Sequence, residues 1–151
     1  MGKEIERKFL LDKPIPWDLG NQKLIKQGYL FITKNKHLRI RIIDHNAYLC
    51  LKFTKNKTRD EYEYEVPLLD GLEMMNKCQF VVEKIRNTIH PLGQEYNIDI
   101  DTYPNGIIVA EVEFKSLNDS NTFKPFEWFG KEITGDKNYS NISFAKQKLK
   151  F

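Results

Sequence analysis

Glu4-Ile5-Glu6-Arg7-Lys8, followed directly by Phe9-Leu10-Leu11, is the stretch from which the fold can be read. A strand's period of two sends Glu4, Glu6 and Lys8 to one face and Ile5, Arg7 and Phe9 to the other. A row of two acids and a base is either the wet face of a terminal strand or a place where metal and phosphate meet. Taken alone, the segment favours the wet face.

The same alternation recurs downstream. From His37 to Ile43, Leu38, Ile40 and Ile42 oppose Arg39 and Arg41. From Ala47 to Thr54, Leu49, Leu51 and Phe53 oppose Tyr48, Cys50 and Lys52. Glu61, Glu63 and Glu65 alternate with Tyr62, Tyr64 and Val66, Lys84 and Arg86 with Val81, Glu83 and Ile85. Asp99 and Asp101 oppose Ile98 and Ile100, and Glu111 and Glu113 oppose Ala110, Val112 and Phe114. Another strand is expected from Lys26 to Ile32, after a turn or short helix within Asp18 to Lys26. Pro14 and Pro16 mark a connector, Lys55 to Arg59 a basic turn, and Pro104-Asn105-Gly106 a hairpin turn.

Helices are expected to be few. Asp70-Gly71-Leu72-Glu73 has the form of a capping box with Asp70 as N-cap, opening a short helix through Met74, Met75 and Cys78. Asn118 to Thr122 suits a helical turn. Ser140 or Asn141 could cap a terminal helix reaching towards Phe151. Phe126, Trp128 and Phe129 are expected to be buried against the sheet.

The 151 residues suit one domain spanning 1–151. A net charge of +3, from 24 basic and 21 acidic residues, lacks the excess that a general nucleic-acid binder needs. No apolar run is long enough to cross a bilayer, and the charged N-terminal stretch lacks the apolar core of a secretory signal. Cys50 and Cys78 read as reduced thiols of a cytoplasmic protein. His37, His45 and His90 show no ligand spacing.

Wet strand faces usually mix threonine, serine and glutamine with lysine. These rows carry arginine pairs and carboxylate pairs instead. Carboxylates suit Mg²⁺ or Mn²⁺, while arginine forks and lysine charges suit phosphate oxygens. Closed into an antiparallel β-barrel, the two signs would face one another across a lumen and no edge would remain exposed.

Glu4-x-Glu6-x-Lys8 also resembles the ExExK signature of the CYTH superfamily, the triphosphate tunnel metalloenzymes. Gln27-Gly28-Tyr29-Leu30, Leu38-Arg39-Ile40-Arg41, Leu51-Lys52, Val82 to Arg86, Asp99-Ile100-Asp101 and Val109 to Phe114 follow in the family's order, as does Trp128 to Tyr139. The resemblance covers essentially the whole chain and is to the short bacterial inorganic triphosphatase type. It implies a closed eight-stranded antiparallel tunnel with a few short helices, including a C-terminal one. Glu4, Glu6, Asp101, Glu111 and Glu113 would bind metal, and Lys8, Arg39, Arg41, Lys52, Lys84 and Arg86 the triphosphate. One metal would bridge phosphate oxygens and a second would activate water, at Glu4 and Glu6. Tyr29 resembles a tyrosine beside the substrate for which a proton-accepting role is implied, and Lys84 joins the catalytic set. Glu61, Glu63, Asp99 and Lys137 are further candidates. Asn138 departs from the pattern, where relatives tend to carry arginine.

The expected activity is metal-dependent hydrolysis of tripolyphosphate. Class IV adenylyl cyclase, thiamine or nucleoside triphosphatase, and a polyphosphate-binding module without turnover are the alternatives. The expected partner is a small triphosphate or polyphosphate, with no membrane and no specific nucleic acid. The sequence leaves a homodimer open.

Overall fold

The computed structural model describes residues 2–55 and 58–151. Eight strands form a closed barrel: β1 (Gly2–Leu10), β2 (Gln22–Ile32), β3 (Lys36–Ile43), β4 (Asn46–Lys55), β5 (Thr58–Val66), β6 (Phe80–Ile89), β7 (Ile98–Thr102) and β8 (Ile108–Phe114). Around the wall the order is β1-β5-β4-β3-β2-β6-β7-β8, every neighbour antiparallel. Closure is therefore as expected. Of the basic turn expected at Lys55 to Arg59, Asn56 and Lys57 lie outside the described residues, and Thr58 and Arg59 already belong to β5.

The seam closes at β1. Its Ile5–Leu10 half pairs with β8, while Gly2–Glu4 pairs with Glu61–Arg59 of β5. Further along that second edge the C-terminal tail takes over. Ile133 N–H donates to Lys8 O at 2.8 Å, Leu10 N–H to Lys131 O at 2.9 Å, and Gly130 N–H to Leu10 O at 2.7 Å.

The outward residues are covered in two places. Phe9, Phe114, Trp128 and Phe129 form an aromatic cluster with Trp17, Phe123 and Phe126 packed against it, which bears out the expected burial of the tail. On the other side, α1 (Leu68–Asn76) lays Met75 over Ile40, Ala47 and Val81. Gly28 permits this approach: a Cβ there would stand 2.7 Å from Cys78 Sγ and 2.8 Å from Met75 Sδ. Inside, one end of the barrel is filled by Tyr29, Val82, Tyr103, Val109 and Ile133 together with Phe144 and Ala145 of α3 (Asn141–Lys146).

Three local expectations are corrected. β2 starts at Gln22, so residues 22–26 are strand and not a turn or helix. There Ile25 is fully buried while the adjacent Leu24 is exposed, so the alternation was hidden by two neighbouring apolar residues. Asp70 is not an N-cap: α1 begins after Pro67, whose missing N–H costs nothing at a helix start, and Asp70 sits in the first turn. Ser140 does cap α3 by accepting from Ser143 N–H, but the helix ends at Lys146 instead of running to Phe151. Lys148, at φ 55°, turns the chain back along β6, where Glu83 N–H donates to Leu149 O. The turn at Asn118 to Thr122 is helical, as α2 (Leu117–Thr122), capped by Ser116.

No helix among the described residues is long and apolar enough to cross a membrane.

Candidate active site

The inward rows converge on one cavity of about 990 Å³. Glu4, Glu6 and Lys8 of β1, Arg39 and Arg41 of β3, and Lys52 of β4 lie on its wall. Tyr29, His37, Arg59, Arg86 and Glu111 lie there as well, and Lys137 and Asn141 enter from the tail. A strand presents every second residue to the lumen, so these groups share a chamber because their parities agree.

The cations crowd one another. Arg41 is lowered to about 10, first by burial and then by the charges of Arg39 and Arg86. Arg39 is 2% exposed; its Nη2 lies 3.4 Å from Glu63 and 3.9 Å from Glu61, and among the described residues its Nε has no hydrogen-bond partner. A buried guanidinium N–H without an acceptor is uncommon, and it is a donor suited to an anion's oxygen. Lys52 bonds Glu4 at 3.1 Å, and Arg59 lies 3.6 Å from Glu4 and 3.5 Å from Glu6.

Deeper in the wall Lys84 and Asp101 are sealed, at 0% and 1% exposed. Lys84 Nζ stands 2.9 Å from Asp101 and donates to Asn141 Oδ1 at 3.2 Å. Burial lowers the Lys84 ammonium to about 7 despite the opposing pull of Asp101. Arg86 grips Asp101 and reaches Asp99 at 3.3 Å.

The carboxyl groups are arranged in proton-sharing pairs. Glu6 is raised well above the usual range, by burial and then by the charge and hydrogen bond of Glu111. Glu111 is held well below it: burial opposes this, but the Glu6 hydrogen bond and the cations Arg86 and Lys8 prevail. Glu4 and Glu61 form a second pair. Burial works against Glu4, yet Lys52 and the Glu61 hydrogen bond bring it down to about 2. Glu61 rises to about 7 through burial and that same bond.

These two carboxyl pairs, Glu6 with Glu111 and Glu4 with Glu61, form a donor set of hard oxygens that fits a divalent cation. Cys50, Glu61 and Glu63 also bring ligand atoms within 4.8 Å of one another. Arg39 already occupies those carboxylates, and burial pushes the Cys50 thiol up to about 11, so this trio does not offer a thiolate ligand.

Of the candidates named from sequence, Glu4, Glu6, Lys8, Tyr29, Arg39, Arg41, Lys52, Arg86, Glu111 and Lys137 line the cavity. Lys84 and Asp101 stand behind that surface, linked to it through Arg86. Glu61 and Glu63 back Arg39, Asp99 backs Arg86, and Glu113 is exposed. Arg7 faces outward and pairs with Glu132 at 2.8 Å. Sequence reasoning missed four inward residues: Arg59, His37, Gln27 and Asn141. The first three share parity with Glu61, Arg39 and Tyr29, so the alternation could have found them.

The CYTH domain pattern matches residues 2–143. An inorganic triphosphatase of Acetivibrio thermocellus is 37% identical over 155 residues, covering 99% of this chain and 97% of that protein. An inorganic triphosphatase of Nitrosomonas europaea is 34% identical over 147 residues, covering 94% and 96%. A crystal structure of an inorganic triphosphatase superposes with a TM-score of 0.66 at 30% identity, over 96% of this chain and 95% of that one.

Proposed function

The chain belongs to the CYTH domain family, and on that premise we propose that it is an inorganic triphosphatase, hydrolysing tripolyphosphate within its barrel. The observation that carries the reading is the crowding of Arg39, Arg41 and Arg86 in one chamber that also holds the Glu6–Glu111 pair. Cations that lower one another's proton affinity are relieved by an anion placed between them.

The family implies a divalent metal, and we assign Mg²⁺ or Mn²⁺, because every donor offered is a hard carboxylate oxygen. Glu4, Glu6 and Glu111 would hold it, with Glu113 at the mouth; Asp101 joins them only by releasing Lys84 or Arg86. Bound there, it would neutralise phosphate charge and supply an acidified water for in-line attack. The remaining work falls to the chain. Arg39, Arg41 and Arg86 offer forked donors to phosphate oxygens, Lys8 and Lys52 offer point charges, and Lys137 stands at the lip. Lys84, near 7, can hold or release a proton at Nζ around neutral pH. Phe144 and Tyr103 fill one end of the barrel, which leaves the other end for substrate to enter. The reduced Cys50 and Cys78 suit a cytoplasmic setting.

The test is one panel: tripolyphosphate, ATP and thiamine triphosphate with Mg²⁺ or Mn²⁺, assayed for phosphate, pyrophosphate and cyclic AMP. Phosphate release from tripolyphosphate is expected. Cyclic AMP with pyrophosphate from ATP would replace the reading with a cyclase, and tight polyphosphate binding without turnover would replace it with a binding module.

A further inference from the structure

Gln27, fully buried on β2, stands between Arg41 and Tyr29. Arg41 Nε donates to Gln27 Oε1 at 2.9 Å, and Gln27 Nε2 donates to the Tyr29 hydroxyl oxygen at 2.7 Å. An amide's oxygen and nitrogen are hard to tell apart by shape, but here the chemistry assigns them. A guanidinium has no acceptor, so the amide oxygen must face Arg41 and the NH₂ must face Tyr29. The Tyr29 oxygen is therefore an acceptor in this bond, and its own hydrogen must go elsewhere. Among the described residues no acceptor is paired with that hydrogen, and Tyr29 lines the cavity.

We propose that Gln27 is a positioning residue that holds Tyr29 as a neutral hydrogen-bond donor to a phosphate oxygen of the bound substrate. The idea rests on the triphosphatase reading and specifies how that site meets its substrate. It gives Tyr29 the opposite role to proton acceptance. The three groups make a chain running one way: the Arg41 charge polarises the amide, and the amide polarises the phenol towards donation. Two observations agree. Burial raises the Tyr29 hydroxyl above its ordinary value, which keeps the phenol protonated. The ring is fixed from the side by His37, edge-on at a centroid distance of 5.4 Å.

Gln27→Glu is the decisive variant, because it preserves shape and the bond from Arg41 while reversing the bond to Tyr29. A carboxylate can only accept, so the hydroxyl turns back on it and is lost to the substrate. Gln27→Met removes the bond without adding charge. With tripolyphosphate and metal, Gln27→Glu and Tyr29→Phe should each lower kcat about 10-fold or more. Gln27→Glu should also raise KM through its added charge. The kcat effect of either Gln27 variant should vanish in the Tyr29→Phe background, to within about twofold. Additive losses in the double variants would mean a merely structural role and overturn the proposal.

A second readout needs no substrate. The absorbance titration of each protein, minus that of its Tyr29→Phe counterpart, isolates the one phenol. Its midpoint should rise in Gln27→Glu, since a phenolate would then face a carboxylate; an unchanged midpoint overturns the contact. If the wild type releases no phosphate from tripolyphosphate, the triphosphatase reading fails, while this titration still decides whether residue 27 contacts the Tyr29 hydroxyl.

Discussion

Arg86 holds Asp101 through two parallel hydrogen bonds, Nε to Oδ1 at 2.7 Å and Nη2 to Oδ2 at 2.8 Å. The two residues are register partners on β6 and β7, and Lys84 approaches the same carboxylate at 2.9 Å. Asp101 thus neutralises two inward cations at once, and burial penalises each of them if it is left alone. Asp101→Asn keeps the shape and removes the charge. We expect a loss of about 3 kcal/mol, the scale for stripping one partner from a buried ion pair. Urea unfolding of the metal-free protein measures it; a loss below about 1 kcal/mol would refute the assigned role.

Glu111 is the carboxylate on which the proton of Glu6 and the cations Lys8 and Arg86 converge. Glu111→Gln retains hydrogen bonding but removes the charge that a metal would need. Turnover should fall by at least about 100-fold, the scale of losing one electrostatic stabiliser at a reacting centre. The circular dichroism spectrum should be unchanged. Activity near wild type at saturating Mg²⁺ or Mn²⁺ would remove Glu111 from the metal set.

His37 makes a pH prediction. Burial lowers its imidazole from 6.5 to about 3, helped by the charges of Lys52 and Arg39. Between those values the folded state binds fewer protons than the unfolded chain. Its contribution is therefore present above pH 6.5 and is lost as pH falls towards 3. Glu61 acts in the opposite sense: raised from 4.5 to about 7, it favours the folded state as pH falls through 7. The two partly cancel in wild type, so the informative quantity is a difference. Relative to wild type, Tm of metal-free His37→Gln should rise progressively as pH is lowered from 6.5 to 4.5. A difference independent of pH would show that His37 is not held neutral.

The strand rows and their closure into a barrel were legible because one face of each strand repeats a charge and the other an aliphatic or aromatic group. The same rule reaches Arg59, two positions before Glu61, but a run of basic residues beside it resembled a turn. Gln27 and Asn141 carry no charge pattern. Their importance comes from what they touch: Arg41 and Tyr29 in one case, Lys84 and Tyr103 in the other. The start of α1 was misplaced because Pro67 marks a helix boundary that the Asp70–Glu73 spacing imitates three residues later. The plug at the closed end was out of reach because its pieces, Ile133, Phe144 and Val109, are brought together only by the tail crossing β1.

Arg39 separates a charge requirement from a geometric one. Its Nη2 is engaged by Glu63 at 3.4 Å, while its buried Nε has no partner among the described residues. If a phosphate oxygen completes that fork, a lysine at this position should fail although it keeps the charge. An ammonium is a point donor on a flexible stem and cannot bridge a carboxylate and a phosphate in one plane. Arg39→Lys should therefore weaken tripolyphosphate binding to the metal-free protein by about 10-fold or more, the scale of one charge-assisted hydrogen bond. Lys52→Arg serves as the comparison: Lys52 Nζ meets both Glu4 oxygens, at 3.2 and 3.1 Å, a pairing that a guanidinium fork keeps. Titration calorimetry with tripolyphosphate reads both variants without depending on turnover. Equal affinity for wild type and Arg39→Lys would show that the unpaired Nε faces no substrate atom, and would leave Arg41 and Arg86 as the forked donors of the chamber.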